Sequence, residues 1–181
     1  MQQKSAVLVV DVQKALCCGN EATFMAIETI NKMNQVIAKA REVDVPIIFI
    51  QHETPSGAFT YESVGWQLQT ELANSESDIY LRKTASDAFQ HIELQTRLDA
   101  LHVNHLVICG MQSEFCVDST VRRALALGYS VTVIEDGHTT IDTPVLAAAS
   151  ISAHHNHTWA NISSYGPRAI PVKAAHIEFE R

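Results

Sequence analysis

Three residues that could act together on a carbonyl carbon stand just beyond apolar runs. Asp11 follows AVLVV, Lys83 follows IYLR, and Cys116 lies a short loop beyond LVIC. A thiol attacks as its thiolate, a carboxylate can carry the proton away, and an ammonium group can orient that carboxylate and stabilise charge. In VICGMQSEFCVDST, Val107 to Thr120, an apolar strand stops and an amphipathic helix starts, with Cys116 near the junction. Ser113 is a candidate N-cap, which puts Cys116 at the third helical position, where free N–H groups and the helix dipole favour a thiolate. Taken singly, each residue has a plainer reading: a small buried hydrophobe, a turn former, a solvated surface lysine. Cys109, inside its strand, fits the plainer one.

The elements that must position the trio are legible from hydropathy. Val- and Ile-rich runs without polar alternation recur at Ala6 to Val10, Pro46 to Ile50, Ile79 to Leu81, Leu106 to Cys109 and Val131 to Ile134. Such runs suit parallel strands covered on both faces. Between them lie helical patterns: Phe24, Ile27, Ile30, Ile37 and Ala40, then Leu94, Leu98 and Leu101, then Val117, Val121, Ala124 and Leu125. Gly128 suits a C-cap, and a later helix is expected to start at Thr143-Pro144. The alternation predicts a single α/β domain over residues 1–181, a three-layer α/β/α sandwich around a doubly wound, mainly parallel, Rossmann-like sheet. In such sheets ligands bind beyond the carboxyl ends of the strands, where the trio falls. Residues 52–78 read as a long excursion between strands, a length that usually carries function.

Composition narrows the partners. A net charge of -7 with 13 scattered Lys and Arg speaks against nucleic acid and for a small-molecule substrate. No stretch approaches the ~20 apolar residues of a membrane span, so no membrane partner is expected. The N-terminal MQQKSAVLVVDVQK lacks a secretory hydrophobic region, which makes a cytoplasmic location the expectation. Cys17, Cys18, Cys109 and Cys116 form no CxxC and are expected as reduced thiols. His138, His154, His155 and His157 could suggest a metal cluster, but adjacent and i,i+3 histidines more often pack, hydrogen-bond or face solvent, and no metal is expected. Of Trp66, Phe89 and Phe115, Trp66 and Phe115 are the aromatic candidates for substrate contact.

The words around the trio resemble the isochorismatase-like cysteine hydrolases, the superfamily of nicotinamidases and N-carbamoylsarcosine amidohydrolases. The resemblance comprises Asp11-Val12-Gln13, Gly65-Trp66, Lys83 with Ser86-Asp87-Ala88-Phe89, and GMQSEFCVDSTVRRALALGYSVTVIEDGHTT. It implies Asp11 as general base, Lys83 as orienting cation and Cys116 as nucleophile. It also implies a cis peptide at Met111-Gln112, with the N–H groups of Gln112 and Cys116 as oxyanion hole. Gln13, Gln51, His52, Trp66 and Phe115 are the candidate substrate contacts. The metal-holding Asp-x-His word of nicotinamidases is missing from IFIQHETPSG.

The implied activity is cofactor-free cleavage of an amide, ureide, carbamoyl or lactam C–N bond through a Cys116 thioester. The alternatives are an isochorismatase-type vinyl ether hydrolase working through Asp11, or a non-catalytic small-molecule binding protein of the same fold. By the same resemblance a homodimer or homotetramer is expected.

Overall fold

A computed structural model describes residues 3–19, 22–90 and 92–180. Six strands form one sheet: β1 Ser5–Val10, β2 Ile47–His52, β3 Ile79–Lys83, β4 His105–Met111, β5 Ser130–Thr139 and β6 Ala169–Val172. Their order is β3-β2-β1-β4-β5-β6, and every pairing is parallel. The helices are α1 Lys14–Cys17, α2 Ala26–Arg41, α3 Leu94–Ala100, α4 Asp118–Ala126 and α5 Ala148–Asn161.

The apolar strand runs follow from burial on both sides. Ala6, Leu8 and Val10 point into a core with Leu94, Leu98, Val121, Leu125 and Trp159, which α3, α4 and α5 supply. Val7 and Val9 point the other way, into a core with Ile30, Met33 and Ile37 of α2 and with Ala174 and Ile177 near the C-terminus. Each such side chain taken from water contributes about 1.5–3 kcal/mol. The α2 stripe differs from the one read in the sequence. Ala26, Ile30, Met33, Ile37 and Ala40 are buried, while Phe24 and Ile27 are 46% and 40% exposed, because Phe24 precedes the helix and Ile27 falls off its buried face.

Three boundaries also depart from expectation. The last helix begins at Ala148 rather than behind Thr143-Pro144. Thr143 Oγ1 accepts instead from the N–H groups of Val145 and Leu146, closing a turn, and Asp142 Oδ1 accepts from the Ala148 N–H. β5 runs on through the polar Glu135–Thr139, because a register shift at Ile108/Gly110 lets His138 and Thr139 pair with the end of β4. β6 was not anticipated; it is short, carries Pro171 and sits at the sheet edge, where the missing N–H costs no ladder bond.

Between β4 and α4 the backbone makes a π-helical turn, Ser113–Val117, with the Val117 N–H reaching back to the Gln112 carbonyl. Single π-turns of this kind concentrate at functional sites. Gly110, at φ +137°, lies against Val10; a Cβ there would stand 2.1 Å from the Val10 carbonyl oxygen. Only glycine lets β4 approach β1 this closely.

Candidate active site

Four neighbouring strands each deliver one functional side chain at their carboxyl ends, in spatial order. Lys83 is the last residue of β3, His52 the last of β2, Asp11 follows β1, and Cys116 sits in the π-turn beyond β4. The switch of winding direction falls between β1 and β4, where open α/β sheets bind ligands. Asp11 turns the chain out of the sheet at φ 52°, a left-handed conformation that Asp tolerates and that recurs at functional sites.

Lys83 is the hub. Its side chain is fully buried, and Nζ donates to Asp11 Oδ2 at 2.6 Å, to the Ala85 carbonyl at 3.0 Å and to Cys116 Sγ at 3.2 Å. His52 Nδ1 lies 3.4 Å from the same nitrogen. Asp11 Oδ1 is buried and accepts no hydrogen bond, so it is free to take a proton from the thiol. Asp11, His52 and Cys116 have donor atoms within 4.8 Å of one another, a spacing that could suit a metal ion. Lys83 Nζ lies within 3.4 Å of an atom of each, so a cation already occupies the place where they converge.

The thiolate expectation is corrected by this geometry. Burial, reinforced by the Asp11 carboxylate and opposed by Lys83, pushes the Cys116 thiol up to about 12. Lys83 favours the thiolate, but burial together with Asp11 outweighs it. Ser113 is not an N-cap either: its Oγ bonds His138 Nδ1 at 2.8 Å and Ser152 Oγ at 3.0 Å. The resting group is a protonated thiol beside the Asp11 side chain. The peptide bond between Met111 and Gln112 is cis.

The sulfur opens into a cavity of about 130 Å³ lined by Asp11, Leu16, His52, Phe59, Met111, Gln112, Phe115 and Cys116. Of the expected substrate contacts, His52 and Phe115 line it. Gln13 does not: its amide clamps the His52 backbone, accepting from the N–H at 2.8 Å and donating to the carbonyl at 2.9 Å. Gln51 donates to the Trp66 carbonyl, and both residues line a separate open cavity of about 540 Å³ beside β3, with Tyr61, Arg82, Glu93 and Arg97. The larger cavity touches none of the reactive groups. Phe89 belongs to the core and packs on Tyr129. Leu16, Phe59 and Met111 were not anticipated as lining residues, since nothing in a run of apolar letters separates a cavity wall from core.

Among the histidines, His138 is buried between Ser113 and Asn156, and burial pushes it down to about 4. His155 packs against Trp159, while His154 and His157 are exposed.

An Isochorismatase domain model matches residues 5–166. The chain belongs to the isochorismatase family. Among its relatives, a streptothricin hydrolase of Streptomyces noursei is 36% identical over 148 residues, which is 81% of this chain and 53% of the relative. A second from the same organism is 34% identical over 81% of this chain and 58% of its own length, so the chain spans little more than half of these relatives. A solved isochorismatase family protein superposes with TM-score 0.85 at 34% identity, covering 93% of this chain and 98% of its own. The N-carbamoylsarcosine amidase of Thermoplasma acidophilum shares the fold at TM-score 0.84 and 23% identity, over 98% of this chain and all of its own. The isochorismatase-family chain shares the α/β fold of these structures. No helix among its described residues is long and apolar enough to cross a membrane.

Proposed function

We propose that this chain hydrolyses a C–N bond of a small amide, ureide, carbamoyl or lactam compound through a thioester on Cys116. The observation that carries the proposal is the chain of contacts from Cys116 Sγ through Lys83 Nζ to Asp11, at 3.2 and 2.6 Å, on the floor of a partly open, mostly apolar cavity. Asp11 takes the thiol proton as sulfur bonds to the carbonyl carbon, so a thiolate never has to exist at rest. The Gln112 and Cys116 N–H groups hold the resulting oxyanion. The Gln112 carbonyl accepts from the Phe115 and Val117 N–H groups, which anchors the peptide that follows Gln112. The C–N bond then breaks as Asp11 returns its proton to the leaving nitrogen. In the second half Asp11 takes a proton from water, the hydroxyl bonds to the acyl carbon, and the released sulfur recovers the proton. The streptothricin hydrolase relatives are hydrolases by their name, and a shorter match over 39% of this chain is named an amidohydrolase, which agrees with this class.

The test is release of ammonia or amine across a panel of amides, ureides and lactams, with wild type and Cys116→Ala. Loss of turnover by several orders of magnitude, with an acyl adduct on Cys116 in quenched wild type, is the expected result. Turnover by Cys116→Ala near the wild-type rate would end the covalent reading.

A further inference from the structure

We propose that the reactive cavity selects an uncharged substrate whose apolar substituent packs against Leu16, Phe59, Met111 and Phe115, and that Phe115 sets this preference at the mouth. This deepens the proposed function and rests on the same cavity. Its volume of about 130 Å³, roughly that of four liquid waters at ~30 Å³ each, admits a substituent of a few atoms beside the reacting carbonyl. The apolar walls are held from behind. Phe59 stands edge-on to His52 with ring centroids 5.8 Å apart, and Met111 Sδ accepts from Thr23 Oγ1 at 3.5 Å and from Cys17 Sγ at 3.6 Å. Met111 is fully buried, whereas Phe115 is 53% exposed and still lines the cavity, so its ring is both wall and rim.

The charges at the floor are already paired with each other. Asp11 and Lys83 meet at 2.6 Å, and Lys83 Nζ also stands 3.2 Å from Cys116 Sγ and 3.4 Å from His52 Nδ1. An ammonium group on the substrate would meet Lys83, and a carboxylate would meet Asp11. His52 offers an anion little compensating charge, because burial, with Lys83 beside it, lowers the basicity of the ring. The ring faces of Phe59 and Phe115 attract a cation, but phenyl is a weaker partner than indole, and Lys83 opposes the attraction. A substituent of either sign would also give up water against apolar side chains, and a charge buried without its own partner is far costlier there than a neutral group. An uncharged apolar substituent avoids that cost and gains from the surface it covers.

Three thiol reagents of matched length test this: propyl, 2-aminoethyl and 2-carboxyethyl methanethiosulfonate, which are neutral, cationic and anionic at neutral pH. Each leaves its chain on a thiol as a mixed disulfide and releases methanesulfinate. The exposed Cys18 of the same protein is the reference for intrinsic reactivity and for the net charge of -7. Labelling rates at both residues are read by tandem mass spectrometry. Relative to Cys18, the propyl reagent should label Cys116 at least about tenfold faster than either charged one, a ratio that ~1.4 kcal/mol of differential desolvation produces. Phe115→Arg, at a half-exposed position with room for a longer side chain, should speed the carboxyethyl reagent relative to propyl by about fivefold and slow the aminoethyl one, as one charge at ~4 Å in water allows. A charged reagent that matches propyl at wild-type Cys116, no labelling of Cys116 by any of the three, or ratios unmoved in Phe115→Arg overturns the inference. Labelling reads entry to the cavity and not hydrolysis. The neutral preference in a protein that cleaves no amide would therefore sink the hydrolase reading and leave the selection standing.

Discussion

Replacing Lys83 by methionine tests whether the centre of the site is held by one buried ion pair. Lys83 and Asp11 side chains are 0% and 2% exposed and meet at 2.6 Å. Methionine fills most of the volume but leaves the carboxylate without its cation, and Asp11 Oδ1 already lacks a partner. Removing one member of a buried pair typically costs about 3–5 kcal/mol, because the other charge stays buried and uncompensated. For a chain of this length that corresponds to a fall in melting temperature of roughly 6–20 °C. Asp11→Asn/Lys83→Met carries no stranded charge and should recover most of the loss, since asparagine tolerates the left-handed backbone at position 11. Both variants should be inactive, so stability and activity come apart. The assay is urea unfolding at neutral pH, with calorimetric melting as a second probe. A Lys83→Met protein within about 1 kcal/mol of wild type, or a double variant no more stable than the single, would refute the account, since 3–5 kcal/mol is expected of a broken buried pair.

Asp11→Asn alone should separate the base from the charge. Asp11 pushes the Cys116 thiol up, so its neutralisation should lower that pKa and speed alkylation of Cys116 by iodoacetamide, while turnover collapses because the proton has no acceptor; slower alkylation would contradict the assignment. His138 binds its proton more weakly folded than unfolded, so its contribution is full above pH 6.5 and is lost as pH falls through about 4. That loss is about 3 kcal/mol, and His138→Gln should flatten the acid limb of stability measured by urea unfolding, with no change in slope counting against it.

Much of this was readable from the letters, for identifiable reasons. Strands β1, β2, β4 and the first half of β5 are continuous apolar runs because both their faces meet helices, and that pattern has few other causes. Asp11, Lys83 and Cys116 could be placed at one sheet edge because each follows such a run. The protonation state of Cys116 could not be read, since it depends first on how deeply the sulfur is buried and then on its distances from Asp11 and Lys83, none of which is a spacing. Nor could Gln13, Gln51 and Trp66 be sorted from His52 and Phe115, because which side of the 52–78 segment faces the sulfur is set by tertiary contacts such as the Gln13 clamp on His52. Ser113 looked like a cap by type; its partner, His138, is a β5 residue brought alongside by the register shift, which no local signal announces.

The parallel pairing of β1 with β4, Ser5 against His105 through Val10 against Gly110, has a further consequence for how the protein comes into being. A chain emerging from the ribosome holds Asp11 for a long interval before the partner strand exists, and Cys116 comes later still. Pairings over such sequence separations form late and slowly. The apolar AVLVV must meanwhile find shelter against β2 and α2, which are already available. The Cys116 sulfur thus enters the chain after Asp11, His52 and Lys83, and a nascent fragment that stops short of residue 116 cannot assemble the four-residue cluster.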